Sequence, residues 1–213
     1  NLWKEIEGET LKREYTWDAI NRLRSVRLLE PEERIIAFTY DDEGTRAQRK
    51  DRLSGGGASR DAYYLADYEN PTGYSQTIRE SHADDKTDQV YSWDATGLLS
   101  QRTSQSGSVE HVHCDQLGSV RLIPALQGAV VAGSGFNYSP FGLVITGEGK
   151  IVEDKFAGQL LDSAINLQYH RKRWYRPKTD LLVAEDPVYD FSGFGHSYLY
   201  DGSNPAGIVS LSG

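Results

Sequence analysis

Polar and apolar positions alternate with a period of two in several short stretches, and each stretch runs into the same punctuation. "YTWDAINRL" (residues 15–23) and "YSWDATGLL" (residues 91–99) both read aromatic, spacer, aromatic, Asp, with Asn21 or Gly97 three residues after the Asp. Residues two apart lie on one face of a strand, so each aromatic pair shares a face. Asp is favoured at the first position of a type I turn, where its carboxylate accepts backbone N–H groups. Gly or Asn three residues later supplies the positive φ that closes the turn. Apolar residues then return, as Leu23 and Val26, Leu98, Val120 and Leu122. Each unit therefore predicts strand, tight turn, strand: a short hairpin with a bulge.

The unit recurs along the chain. "FTYDDEG" supplies Phe38, Tyr40, Asp41 and Gly44, and "HCDQLG" supplies Asp115 and Gly118 without the aromatic pair. "YLADYEN" gives Tyr64, Asp67 and Asn70, and "FNYSPFG" gives Phe136, Tyr138 and Gly142 with Ser139 in the Asp place. The anchors are Asp18, Asp41, Asp67, Asp94, Asp115 and Ser139, about 21 to 27 residues apart, a spacing that marks repeat architectures. One hairpin is marginal in water. Neighbouring hairpins share aromatic rows, each pair adding ~0.5–1.5 kcal/mol beyond burial. The plainer alternative is a generic antiparallel β protein whose turns recur. "EPEER", "LSGGGASRD" and "SHADDKTD" read as exposed loops. "FAGQLLDSAINL" is the best helical candidate, but it is short and carries Gly158 near its start, so it reads as mixed.

Composition agrees with strands and turns. Of 213 residues, 38% are hydrophobic, 11% are aromatic and 21 are Gly, which leaves aromatics to carry most of the burial. The net charge of −8 argues against a nucleic-acid or anionic-membrane surface, which needs clustered positive charge. No apolar run approaches the ~18 residues of a membrane span. Cys114 is the single cysteine, so no internal disulfide framework is expected. The chain has no Met and opens in mid-pattern at Asn1, which points to a fragment or a processed product of a longer chain.

The repeated units resemble the YD repeats of RHS proteins, in which a Tyr-Asp pair and a following Gly recur about every twenty residues. "HCDQLGSVR" resembles the family's His-x-Asp-x-Leu-Gly-Ser element and "YSPFG" its Tyr-Asp-Pro-Phe-Gly. "FAGQLLDSAINLQYHRKRWYRPKTDLLVAEDP" is similar to the RHS-associated core, and "YLYDGSNP" to the element that follows it. "ENPTGYSQTIRE" also resembles a segment of these chains. The ordered run from His113 to Pro205 is the specific part. The resemblance implies an all-β array of antiparallel hairpins over residues 1–145, part of a spiralling shell-like sheet, continuous with a core or end plug over residues 146–213. In the family the shell encloses a toxic C-terminal polypeptide. Implied partners are the rest of the RHS shell, the enclosed effector, and secretion-system or toxin-complex components. The implied location is secreted or cell-surface through a dedicated export system.

The resemblance also raises an aspartic self-cleavage site. Its first carboxylate corresponds to Asp186 in "AEDPVYD", while the second aligns with Ser210. Aspartic proteolysis needs two carboxylates sharing a proton, a role serine cannot hold. Tyr189 replaces an expected Gly, and Arg176 stands within the family's Tyr-Asp-Pro. Asp190 and Asp201 are the substitute candidates for the second carboxylate. The simpler role for Asp186 is to cap a turn before Pro187.

No cofactor is implied. In "HVHC", His111 and His113 share one strand face while Cys114 points away, so the run cannot supply three ligands to one metal ion. "YHRKRWYR" suits single-stranded nucleic acid or an acidic partner segment in principle. It equally suits a strand with aromatics inward and Arg and Lys outward, which is the expectation taken. No Gly-x-Ser-x-Gly elbow is present, and "SGGGAS" lacks the Lys of a phosphate loop. Three readings stand: a shell segment holding an effector, an aspartic autoprotease releasing it, and a cell-surface adhesin or carbohydrate binder. Exposed rows of Trp and Tyr would favour the last.

Overall fold

A computed structural model describes residues 1–56, 61–82, 88–95, 97–104, 107–124, 135–146, 156–186, 196–200 and 204–205. Among them the fold is all-β, with no helix and hence no helix long and apolar enough to cross a membrane. Ten strands form one antiparallel sheet in strict chain order. They are β1 (Lys4–Glu7), β2 (Thr10–Trp17), β3 (Leu23–Leu28), β4 (Arg34–Tyr40), β5 (Arg46–Leu53), β6 (Ala62–Asp67), β7 (Gln76–His82), β8 (Gln89–Asp94), β9 (Gly97–Thr103) and β10 (Val109–His111).

The series continues beyond that sheet. Val112 donates its N–H to Leu99 O, carrying β10 on into β11 (His113–Cys114), which pairs with β12 (Val120–Leu122). A bridge from Leu122 to Gly135 leads to the hairpin of β13 (Asn137–Tyr138) and β14 (Val144–Thr146).

Four turns are built alike. At Asp18, Asp41, Asp115 and Ser139, the anchor N–H donates to the carbonyl four residues on, and the N–H three residues on donates back to the anchor carbonyl. The third residue takes the left-handed conformation: Asn21 at φ 64°, Gly44 at 82°, Gly118 at 80° and Gly142 at 82°. Ser139 takes the Asp role through its hydroxyl, which accepts from the N–H of Leu143. The unit at Asp67 differs, because its loop is longer and the positive φ falls on Gly73, not Asn70. Asn70 instead bridges the loop, its side-chain amide donating to the carbonyls of Asp67 and Tyr74.

One bulge recurs immediately before the anchor in all six units, between Thr16 and Trp17, Thr39 and Tyr40, Leu65 and Ala66, Ser92 and Trp93, His113 and Cys114, and Asn137 and Tyr138. The residue three before the anchor is buried in five units: Tyr15, Phe38, Tyr91, Val112 and Phe136. The residue just before the anchor reaches backwards. Trp17 Nε1 donates to Leu2 O at 2.8 Å, Tyr40 Oη to Leu23 O at 2.7 Å, and Trp93 Nε1 to Thr77 O at 2.8 Å. Cys114 Sγ lies 3.5 Å from Leu98 O, and Tyr138 Oη donates to Val120 O at 2.7 Å. Each acceptor lies on the return strand of the preceding hairpin, or on the segment occupying that place, so the aromatic pair serves both burial and inter-hairpin tethering. Ala66 in the third unit has no donor for this role.

A second, four-stranded sheet is formed by β15 (Leu160–Asp162), β16 (Leu167–His170), β17 (Arg173–Arg176) and β18 (Leu181–Leu182). The helical candidate 156–167 is therefore turn and strand. Asp162 starts a turn in which Asn166 takes φ 53°. All four β16 residues are buried, because this sheet is covered on both faces. One face packs Leu160, Leu167, Tyr169, Trp174 and Val183 on Tyr15, Leu23, Val26, Ile36 and Phe38 of the hairpins. The opposite face holds Tyr175 and Leu182 with Phe156 and Tyr200.

Candidate functional site

The seam between the hairpin array and the four-stranded sheet gathers several of the buried polar and charged groups, among them Arg46, Asp162 and Gln159. Its apolar part is aromatic, with Phe38 and Trp174 ring centres 4.6 Å apart and Tyr169 and Trp174 5.1 Å apart. Trp174 Nε1 donates to Tyr40 Oη at 3.2 Å, while that hydroxyl donates to Leu23. One tyrosine thus ties two hairpins to each other and to the docked sheet. Burial, opposed by the hydrogen bond from Trp174, pushes the Tyr40 hydroxyl up to about 12. Burial raises Tyr169 as well.

Arginines fix the docking. Arg13 donates to Ile165 O at 2.6 Å. Arg49 grips Asp162 through Nε at 2.6 Å and Nη2 at 3.4 Å. Arg171 donates to Ser75 O at 2.8 Å. Arg176 Nη2 lies 3.0 Å from Glu5 and donates to Tyr15 Oη at 2.6 Å. The expectation that Arg and Lys of "YHRKRWYR" face outward holds for Lys172 alone. Arg173 and Arg176 keep only 10% and 12% of their side chains exposed, because carboxylates on neighbouring segments meet them inside. The acidic partner such a basic run could hold is supplied within the chain.

Arg46 has the most unusual setting. It is 3% exposed and occupies the first inward place after its turn, where three other hairpins bury Leu23, Leu98 and Val120. Its guanidinium lies 3.9 Å from the Tyr64 ring centre, 4.9 Å from that of Tyr169 and 5.5 Å from that of Trp174. Its backbone N–H donates to Tyr169 Oη at 2.7 Å. Burial opposes the charge, but the fields of Tyr64, Asp162 and Glu80 outweigh it and hold Arg46 above its ordinary pKa.

Three motifs read separately in the sequence converge beside the seam. Ser119, from "DQLGS", is fully buried and accepts the N–H of Ala157, from "FAGQ", at 2.9 Å. Phe156 lies against the turn at Gly142, from "SPFG", so closely that a Cβ there would overlap its ring. Tyr175 Oη donates to Phe141 O at 2.7 Å.

Asp186 lies past the end of the docked sheet. Its N–H donates to Ser197 O at 3.0 Å, and its carboxylate lies 3.0 Å from Arg173 Nη1 with one third of the side chain exposed. A guanidinium, not a second carboxylate, faces it in this ion pair. Asp190, Asp201 and Ser210 lie outside the described residues. His111 and His113 are both exposed, with Val112 buried between them. Among the described residues no group of three His, Cys, Asp or Glu side chains is placed to hold a metal ion. Sequence reasoning missed Arg46, Ser119 and the Arg49–Asp162 pair. A readable signal existed for the first, since an arginine interrupts a run of aliphatic residues at one repeat position.

No family model matches the chain. It is similar over 206 residues, at 25% identity, to the tRNA3(Ser)-specific nuclease WapA of Bacillus spizizenii and to the tRNA nuclease WapA of Bacillus subtilis. Each match covers 93% of this chain but 8% of the relative. The fold is shared with solved structures of TcdB2-TccC3, at TM-score 0.68 and 16% identity over 92% of this chain and 10% of that one. It is shared likewise with the Photorhabdus luminescens Tc holotoxin pore, at TM-score 0.67 and 15% identity over 94% of this chain and 10% of that one.

Proposed function

We propose that this chain is a structural segment of an RHS-type toxin-system protein, the part of a shell that wraps or presents an effector polypeptide. The observation that carries the reading is the docking itself. A repeat array of hairpins holds a sheet of similar type on one face through Arg13, Arg46, Arg49 and Tyr40, as an end plug would sit in an arc of shell. The division at residues 145 and 146 into array and core belongs to this proposal. Likeness to the tRNA nuclease WapA and to the Tc holotoxin pore supports it, both being far longer than this chain. The rest of the shell, the effector and an export system are the proposed partners, at a secreted or cell-surface location.

The test is protease protection. In the full-length gene product, the polypeptide downstream of this segment should survive added protease, whereas the same polypeptide expressed alone should be digested. Equal digestion would overturn the reading. The adhesin alternative draws less support, because among the described residues most repeat aromatics are buried or tethered, and the exposed Trp3, Tyr63 and Tyr68 form no row along the repeat.

A second reading assigns aspartic self-cleavage to the end of the core. The accessible Asp186 carboxylate beyond the last buried strand favours it. It needs a second carboxylate, for which Asp190 and Asp201 are the candidates. Intact mass of the full-length product separates the readings. Two fragments summing to the precursor, lost in Asp186→Asn, would establish cleavage; one uncut species would leave the scaffold alone.

A further inference from the structure

The outer face of the ten-stranded sheet is divided in two. Over β1–β5 it is laced with ion pairs, including Lys4–Glu14, Arg27–Glu14, Arg27–Glu33 and Arg52–Asp61. Over β6–β10 the character changes. Leu65 stands opposite Arg79, Arg79 opposite Val90, Val90 opposite Arg102, and Arg102 opposite Val109. One straight row across five strands therefore alternates aliphatic and guanidinium side chains. The three aliphatic members are exposed by 56%, 42% and 46%. Tyr63 flanks the row at 48% exposure. The carboxylates Asp67 and Asp94 stand at the turn ends of β6 and β8, outside the row. Arg79 pairs with Asp88 at 2.6 Å, and Arg102 has no ion pair among the described residues.

We infer that this row is a docking surface for an acidic amphipathic helix of another polypeptide. Strands are ~4.8 Å apart, so like members of the row recur every ~9.6 Å. A helix laid across the strands advances ~10.5 Å in seven residues. A seven-residue repeat then sets apolar side chains over Leu65, Val90 and Val109, with carboxylates between them over Arg79 and Arg102. Charge complementarity selects an acidic occupant at Arg102, which has no ion pair among the described residues, whereas Arg79 already shares its charge with the buried Asp88.

The probe is a labelled three-heptad helical peptide with Leu along one stripe and Glu beside it, titrated against the whole chain by fluorescence anisotropy. Saturable binding that weakens with added salt is expected. Arg102→Glu and Val90→Asp should each weaken it by about tenfold or more, since reversal sets like charges against each other and Asp removes an apolar contact. Arg24→Glu, on the ion-paired half, should leave it unchanged. Circular dichroism of each variant controls for folding. Failure to bind, equal binding of a Lys-for-Glu peptide, or indifference to Arg102→Glu would overturn the assignment. Sedimentation showing self-association abolished by Arg102→Glu would assign the row to a second copy and overturn it equally.

Discussion

The Arg46 guanidinium lies 3.9 Å from the ring centre of Tyr64, in the place where the preceding hairpin buries Leu23. It belongs to a buried set that includes Asp162 and Glu80, whose fields act on it. Removing the cation leaves buried carboxylate charge poorly balanced, and breaking such a set costs ~3–5 kcal/mol. Arg46→Leu, although it restores the repeat's own residue type, should therefore lower the urea midpoint sharply. Arg46→Lys should recover only part, because a compact ammonium does not stack on three rings as a planar guanidinium does.

The backward tethers should be worth similar, modest amounts. A net hydrogen bond contributes ~0.5–1.5 kcal/mol, so Tyr138→Phe and Trp93→Phe should each cost that order, with some added packing loss for the indole. Cys114→Ser should be neutral or slightly stabilising, since a hydroxyl donates better than the thiol 3.5 Å from Leu98 O. Equilibrium unfolding of the three variants checks the ranking.

Two glycines of identical backbone role separate strain from crowding. Gly44 and Gly142 both hold φ 82°, but a Cβ at Gly44 meets only the end of the Arg22 side chain at 3.9 Å, whereas at Gly142 it overlaps the Phe156 ring. Gly44→Ala should cost ~1–2 kcal/mol for the left-handed backbone. Gly142→Ala should cost more, by about 1–3 kcal/mol of overpacking. Thermal denaturation of both variants measures the difference. The turn of the sixth hairpin is thereby part of the core's docking surface.

Alkaline pH should unlock the seam. The Tyr40 hydroxyl titrates near ~10 when unfolded and is pushed up to about 12 in the fold. A group whose folded pKa is raised contributes stability that is fully present below its unfolded pKa and is lost as pH rises through the folded value. Stability should therefore fall between about pH 10 and pH 12, with Tyr169 adding to the loss because burial raises it too. In Tyr40→Phe the loss over this window should shrink. Carboxylates act at the other end. Hydrogen bonds from Arg79 and the His82 N–H lower Asp88, so its contribution is present above the usual carboxylate range and is lost in acid as pH falls through the lowered value. Urea midpoints across pH report both windows.

The hairpins were legible because their information is local. Asp18, Asp41 and Asp115 with their Asn or Gly partners define a turn within five residues, and alternation of Tyr15 with Trp17 assigns a face. Ser139 was readable for the same reason, its hydroxyl replacing a carboxylate at the turn. The longer loop after Asp67 was not, because Asn70 there satisfies carbonyls across the loop and Gly73 takes the left-handed place. The seam was least legible. Arg13 meets Ile165 and Arg49 meets Asp162 more than one hundred residues away, and no spacing along the chain encodes such a meeting. Arg176 of "YHRKRWYR" was misread outward for that reason: its carboxylate partner, Glu5, comes from the far end of the chain.

Each tether runs from one hairpin to the one before it, and the bulge stands at one fixed place in every unit. Lengthening or shortening such a chain by whole units leaves every remaining tether with its donor and acceptor. Evolution can therefore change the size of an array of this kind by duplication and deletion, with no compensating substitutions in the rungs that stay.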